Sequence, residues 1–254
     1  MGSVIDTTRG RVQLATVASG GKESGVFSKG AFKITQKRSR PKFTDLTLVG
    51  GRRRVCALEG ASGSQDGLSR RVIRRLRGDA RGHFRSRGQH SSATIRGTVW
   101  LTEDRCDGTV ISSEQGKVIT STGGQGGQGF ELDPGESLVG YCSPPSRKLV
   151  VRDFCLTLLS RPALGVFGFG LITLRADSEY DLCIRGPSGA ELCRRFTLNP
   201  PNANGARIGS VGCEQTEGPG EYTARWLVNG QQLGIPLPFT ATIPQPFPDP
   251  SCVG

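Results

Sequence analysis

The sequence predicts an all-β protein of two domains, and three observations carry that expectation. Glycine occurs 37 times and proline 15 times in 254 residues, which disfavours long helices and favours short strands joined by turns. Apolar residues recur with a period of two in short runs bounded by Gly, Asp or Ser, as half-buried strands require. Charge is split along the chain. Residues 1–100 carry 21 basic and 6 acidic side chains, residues 101–147 carry 3 and 7, and residues 148–254 carry 9 and 9. The break falls at CSPPSR (142–147), whose prolines suit a short semi-rigid connector. The expected domains are therefore 1–142 and 148–254, joined by 143–147.

In the first domain, RGRVQLAT (9–16) alternates Val12 and Leu14 with polar neighbours. GAFKITQ (30–36) does the same with Phe32 and Ile34, and DLTLVG (45–50) with Leu46 and Leu48. An Arg-rich insertion at about 52–88 follows and contains the polar loop EGASGSQDG (59–67). Strand patterns resume at SATIRGTVWLTE (92–103), GTVISS (108–113), GKVITS (116–121) and ESLVGYC (136–142), with STGGQGGQGF (121–130) as a glycine-rich loop. The second domain offers about seven strands, at 148–160, 169–176, 180–186, 190–198, 207–213, 220–230 and 237–243. Seven short strands in roughly 100 residues, with turns every 8–12, suggest a two-sheet sandwich, and Tyr222 and Trp226 supply bulk for its core.

The eight cysteines stand at 56, 106, 142, 155, 183, 193, 213 and 252. No CxxC pair exists and only His83 and His90 could join a metal site, so neither metal nor cofactor is expected. An even count without metal spacing reads as disulfides in an oxidising compartment; the alternative is a set of buried free thiols. In LCIRGPSGAELC (182–193), Cys183 and Cys193 are equidistant from Ser188 and face each other across a hairpin, close enough to bridge. The other pairs, Cys56–Cys106, Cys142–Cys155 and Cys213–Cys252, are assigned without a geometric argument. An extracytoplasmic place follows from the cysteines, since the opening MGSVIDTTRGRVQL reads as domain sequence and not as an export signal. The best candidate for a membrane span, PALGVFGFGLITL (162–174), flanked by Arg161 and Arg175, is short of the ~20 residues a bilayer needs.

Residues 91–120, SSATIRGTVWLTEDRCDGTVISSEQGKVIT, resemble the FecR domain. Ala93, Thr94, Arg96, Gly97, Thr98 and Trp100 match the first half of its motif, and Asp107, Gly108, Val110, Gly116 and Val118 match the second. SVIDTTRGRVQL (3–14) and GVFSKGAFKITQ (25–36) are similar to extracytoplasmic FecR-like proteins of high-GC Gram-positive bacteria, so the resemblance spans about residues 3–142. It implies a curled or solenoid-like β domain outside a membrane, of the kind that relays a signal to a cytoplasmic sigma factor. PGEYTARWLVNG (219–230) resembles bacterial Ig-like modules, which would make the second domain an Ig-like sandwich. Read from its own residues, Gly97 lets the chain bend between two strands and Asp107–Thr109 form a tight turn.

Catalysis is not expected. GxSxG, Walker A, HExxH and a helix-opening GxGxxG are all missing, and both histidines lie in HFRSRGQH (83–90). TEDRCD (102–107) gathers Glu103, Asp104 and Asp107, which reads as a solvated acidic turn bridged to Arg96 or Arg105 before it reads as a cation site. The basic stretch 69–88 holds Arg70, Arg71, Arg74, Arg75, Arg77, Arg81, Arg85 and Arg87, with Arg52, Arg53 and Arg54 upstream. As a helix over 69–77 it would turn Val72, Ile73 and Leu76 inward and spread its arginines as a polyanion-binding face. Only Phe84 interrupts the run, so an acidic extracellular polymer is a better ligand than nucleic acid, which would need stacking aromatics. Three functions remain open: a secreted or surface β protein for binding, adhesion or self-assembly; a FecR-like sensory ectodomain; and a nucleic-acid or polyanion binder.

Overall fold

The structure is a computed structural model that describes residues 2–18, 21–36, 43–51, 56, 71–95, 97–106, 108–123, 129–143, 154–161, 166–175, 177, 179–201, 206–212 and 218–241. The elements among these residues are strands, as the glycine content and the period of two require. The chain divides into two compact units, the first drawn from Met1–Ser62 and Ser69–Val139, the second from Gly140–Gly254.

The first unit contains β1 (Val4–Asp6), β2 (Arg11–Ala18), β3 (Gly21–Ser28), β4 (Ala31–Gln36), β5 (Thr44–Val49), β6 (Val72–Arg81) and β7 (Phe84–Arg87). It continues with β8 (Ser91–Ile95), β9 (Thr98–Arg105), β10 (Thr109–Gln115), β11 (Val118–Thr122), β12 (Gly129–Leu132) and β13 (Ser137–Cys142), within which the unit boundary falls. One sheet has the order β1-β4-β5-β7-β8-β11-β12; β5 and β7 run parallel and its other neighbours antiparallel. A second sheet runs β2-β3-β6-β9-β10-β13 through this unit. Their buried faces meet around Phe27, whose ring lies 5.7 Å from Phe32, 5.4 Å from Phe84 and 6.1 Å from Trp100. The Trp100 indole N–H donates to Ser86 Oγ at 2.9 Å, so its one polar atom is satisfied in the core.

Residues 91–120 are where the chain twice crosses between these sheets. The expected strand 92–103 is two strands, because Gly97 takes φ +89° and sends β8 into one sheet and β9 into the other. Gly116, at φ +71°, returns the chain from β10 to β11, and a Cβ there would stand 2.9 Å from the Gly97 carbonyl. A side chain at Gly116 would therefore press on the Gly97 backbone, whereas Gly97 has open space around it and is held to glycine by its positive φ.

The helix expected over 69–77 is absent: Val72–Arg81 is strand β6, a ten-residue member of the second sheet between β3 and β9. Its burial has a period of two, with Leu76, Gly78 and Ala80 inward, and Val72 exposed instead of packed. Gly78 is held to glycine by Trp100, whose ring would lie 2.2 Å from an added Cβ. The region read as an insertion thus supplies two strands, β6 and β7, each flanked by neighbours on both sides.

The second unit contains β14 (Phe154–Arg161), β15 (Val166–Thr173), β16 (Glu179–Arg185), β17 (Glu191–Thr197), β18 (Arg207–Gly212), β19 (Gly220–Val228) and β20 (Gln231–Ala241). Strands β18-β15-β14 are neighbours in one sheet and β17-β16-β19-β20 form the other. Phe169 lies 6.4 Å from Trp226 and 5.5 Å from Phe239, and Phe167 lies 4.5 Å from Phe239, so aromatics from both sheets fill the core of a sandwich. Among the described residues three disulfides are present: Cys56–Cys106, Cys142–Cys155 and Cys183–Cys193. Cys213 and Cys252 lie outside the described residues, as do the loop 59–67 and connector residues 144–147. Among the described residues no helix is long and apolar enough to cross a membrane.

Candidate functional site

The described arginines among the eight singled out in 69–88 do not share one face, because the strands that carry them belong to different sheets. Arg70, like Arg52, Arg53 and Arg54, lies outside the described residues, and Arg71 is an exposed residue just before β6. Arg74 points toward the interior, where its Nε donates to Asp104 Oδ2 at 2.7 Å. Arg75, Arg77 and Arg81 fall on the outer face of β6. Arg77 holds Glu114 through Nε at 2.9 Å and Nη2 at 2.7 Å, and the bond to that carboxylate raises the Arg77 pKa above its ordinary value. The described arginines of β6 and β7 therefore lie on different sheets.

Glu103 and Asp104, read as part of a solvated acidic turn, are buried residues of β9, and Asp107 and Arg96 lie outside the described residues. Glu103 pairs with Arg105 at 3.0 Å, one of the two partners expected. Asp104 is fully buried and satisfied on both oxygens: beside Arg74, it accepts from the Gln89 backbone N–H at 2.8 Å and from Thr109 Oγ1 at 2.6 Å. A carboxylate so engaged ties β6, β9, β10 and the 88–90 turn together. Among the described residues no group of three or more His, Cys, Asp or Glu is arranged to hold a metal ion. His83 is similarly committed, its Nδ1 and backbone N–H lying 2.6 and 2.7 Å from the buried Glu23 carboxylate.

Arg85 and Arg87 differ from the rest. They stand two residues apart on β7, outward from the first sheet, and both Nε atoms donate to Asp45 Oδ1, at 2.8 and 3.0 Å. Asp45 comes from the parallel neighbour β5, directly opposite Arg85. The carboxylate is buried, its side chain 4 % exposed, while the guanidinium side chains are 26 % and 35 % exposed. Arg85 also lies over the Phe43 ring at 4.8 Å, and Phe43 meets His83 edge-on at 5.6 Å. Sequence inspection named both arginines but missed Asp45 and Phe43, some 40 residues upstream, since only the parallel β5–β7 pairing brings them together.

The other exposed feature is strand β17. It ends its sheet, and Glu191 through Arg195 are all exposed, with Leu192 at 55 %. Cys183 and Cys193 are directly opposed with Cα atoms 4.0 Å apart, the spacing of a non-hydrogen-bonded pair. Every second residue from Cys193 therefore turns its N–H and C=O away from β16. Among the described residues, the outward-facing backbone groups of Glu191, Cys193, Arg195 and Thr197 have no partner strand.

No family model matches the chain, and no curated relative matches it. Two crystal structures of a candidate anti-sigma factor from Parabacteroides distasonis ATCC 8503 are similar to it at 10 % identity, with TM-scores of 0.33 and 0.32. They cover 55 % and 54 % of this chain, and the chain spans the same shares of theirs, about half their length.

Proposed function

We propose that this chain is a non-catalytic extracytoplasmic β protein whose second unit is an Ig-like module that assembles with a second copy through β17. The observation that carries the reading is that edge. It is seven residues long, free of proline and bulges, exposed on both faces and stapled to its sheet by a disulfide. Such an edge is a template for strand addition unless it is blunted. The opposite edge, β20, is blunted by Pro236, Pro238 and a left-handed Gly234. At the edge of the first unit, β2 has its Val17 carbonyl taken by Gln36 Nε2 at 2.9 Å.

The Ig-like reading is supported by strand order. Counting the seven strands from β14, the sheets contain 1-2-5 and 4-3-6-7, which is the constant-type Ig arrangement with the fourth strand moved across. The sixth strand carries Tyr222, whose hydroxyl donates to the Gly218 carbonyl at 2.7 Å and accepts from its N–H at 3.0 Å, as in a tyrosine corner. The disulfides support an oxidising compartment. The non-catalytic reading is supported by where the buried acids stand, since Glu23, Asp45 and Asp104 each hold strands together.

Antiparallel pairing of two β17 strands centred on Cys193 sets Glu191 of each copy opposite Arg195 of the other. A register centred on Arg194 would oppose like charges instead. Sedimentation from about 5 to 200 μM tests this. A dimer is expected that Arg195→Pro abolishes while the far-UV spectrum is retained, because the lost N–H faces outward. A monomer throughout, or a dimer indifferent to proline, overturns the assembly. A sensory ectodomain is the second reading, favoured by the FecR-like corners at Gly97 and Gly116; capture of the ectodomain of a cognate membrane receptor would support it.

A further inference from the structure

We infer that Arg85 and Arg87 form a clamp for a phosphate dianion, free or at the end of a larger molecule. This site lies in the first unit and does not rest on pairing through β17. Both guanidiniums are anchored through Nε to the same carboxylate oxygen, so Asp45 orients them without occupying their terminal amino groups. Among the described residues those terminal groups have no hydrogen-bond partner. The trio carries one net positive charge. Phe43 fixes the plane of Arg85, and the exposed edges of both guanidiniums face water.

Two cations sharing one buried anion, held rigid and open on one side, form a preorganised anion site. The neighbours on this face are hydroxyls, with Thr94 opposite Arg85, and Ser92 and Thr47 on either side of Arg87. Lys33 stands beyond Thr47, two strands or about 10 Å from Arg87, and adds positive potential. A carboxylate offers two coplanar oxygens and is satisfied by one guanidinium fork. Two forks from strand positions i and i+2 need an acceptor with at least three terminal, unesterified oxygens around one centre, which a phosphate dianion supplies and a diester, with two, does not.

Titration calorimetry at constant ionic strength, with inorganic phosphate, methyl phosphate, dimethyl phosphate and acetate as probes, tests the inference. The two dianions are expected to bind at least tenfold more tightly than the diester or acetate, and binding of methyl phosphate extends the site to phosphate termini. Arg87→Lys retains the charge beside Asp45 but loses the fork, and is expected to weaken phosphate binding at least tenfold with an unchanged thermal midpoint. Arg81→Gln, on the other sheet, is expected to leave it within twofold. No measurable phosphate binding, equal binding of dimethyl phosphate, or an equal loss in Arg81→Gln would each overturn the clamp.

Discussion

At the scale of single residues, the molecule spends its buried charge on connecting strands. Asp104 is the clearest case, with Arg74, Gln89 and Thr109 all engaged on one carboxylate. Replacing it with Ala leaves a cation, a backbone N–H and a hydroxyl short of a partner in a site without solvent. Asp104→Ala is therefore expected to cost about 3 kcal/mol in denaturant unfolding, and a loss under about 1 kcal/mol would mean the bridge is dispensable. Tyr180 gives a pH dependence. Its side chain is 3 % exposed, and burial pushes the phenol pKa up to about 12 from 10.0. The native phenol stays protonated where the unfolded chain already ionises. The associated stability is complete below pH 10, falls by about 1.4 kcal/mol per unit from 10 to 12, and is flat above. Unfolding free energies across this range should show that slope, and Tyr180→Phe should remove it. None of these partners is adjacent in sequence, so reading the chain alone placed Asp104 in a solvated turn.

At the scale of elements, legibility followed the inward-facing side chains. Strands with two or more large inward residues, such as β4 with Phe32 and Ile34 or β5 with Leu46 and Leu48, were legible as alternating runs. Strand β3 was not, because its inward positions are Glu23, Gly25 and Phe27, only one of them large and apolar. Strand β6 turns Leu76, Gly78 and Ala80 inward, only the first of them large, with Gly78 set against Trp100, and its arginines imitate a helical stripe. The β16–β17 hairpin was legible because both its turn and its cysteines are local. Its disulfide closes a ring of 10 residues. The double replacement Cys183→Ser, Cys193→Ser is expected to lower stability by about 3 kcal/mol through loop-closure entropy, measured by thermal unfolding against wild type. Surface pairs of this sheet add little. The Arg195 guanidinium holds the Asp181 carboxyl below its ordinary value, but both groups meet water and salt will screen them.

At the scale of the whole molecule, the excess of 33 basic over 22 acidic side chains predicts attraction to anions, yet not where they would bind. Arginines close together along 74–87 separate onto two sheets and an interior, because the chain bends at Gly82–His83 between β6 and β7 and the strands go to different sheets. What remains concentrated is one pair on a buried carboxylate. The sequence by itself determined the all-β class, the change of character near Cys142, the sandwich of seven strands and the Cys183–Cys193 bridge. Each of these is a local signal, written in periods of two, in turn residues or in spacing within one hairpin. Tertiary structure alone decided that 72–87 forms interior strands, that Asp104 is buried, that Asp45 and Phe43 meet Arg85, and that β17 is an open edge. Those depend on which strands become neighbours, a choice made by packing around Phe27 and Trp100 and by pairings tens of residues apart, where no local pattern reaches.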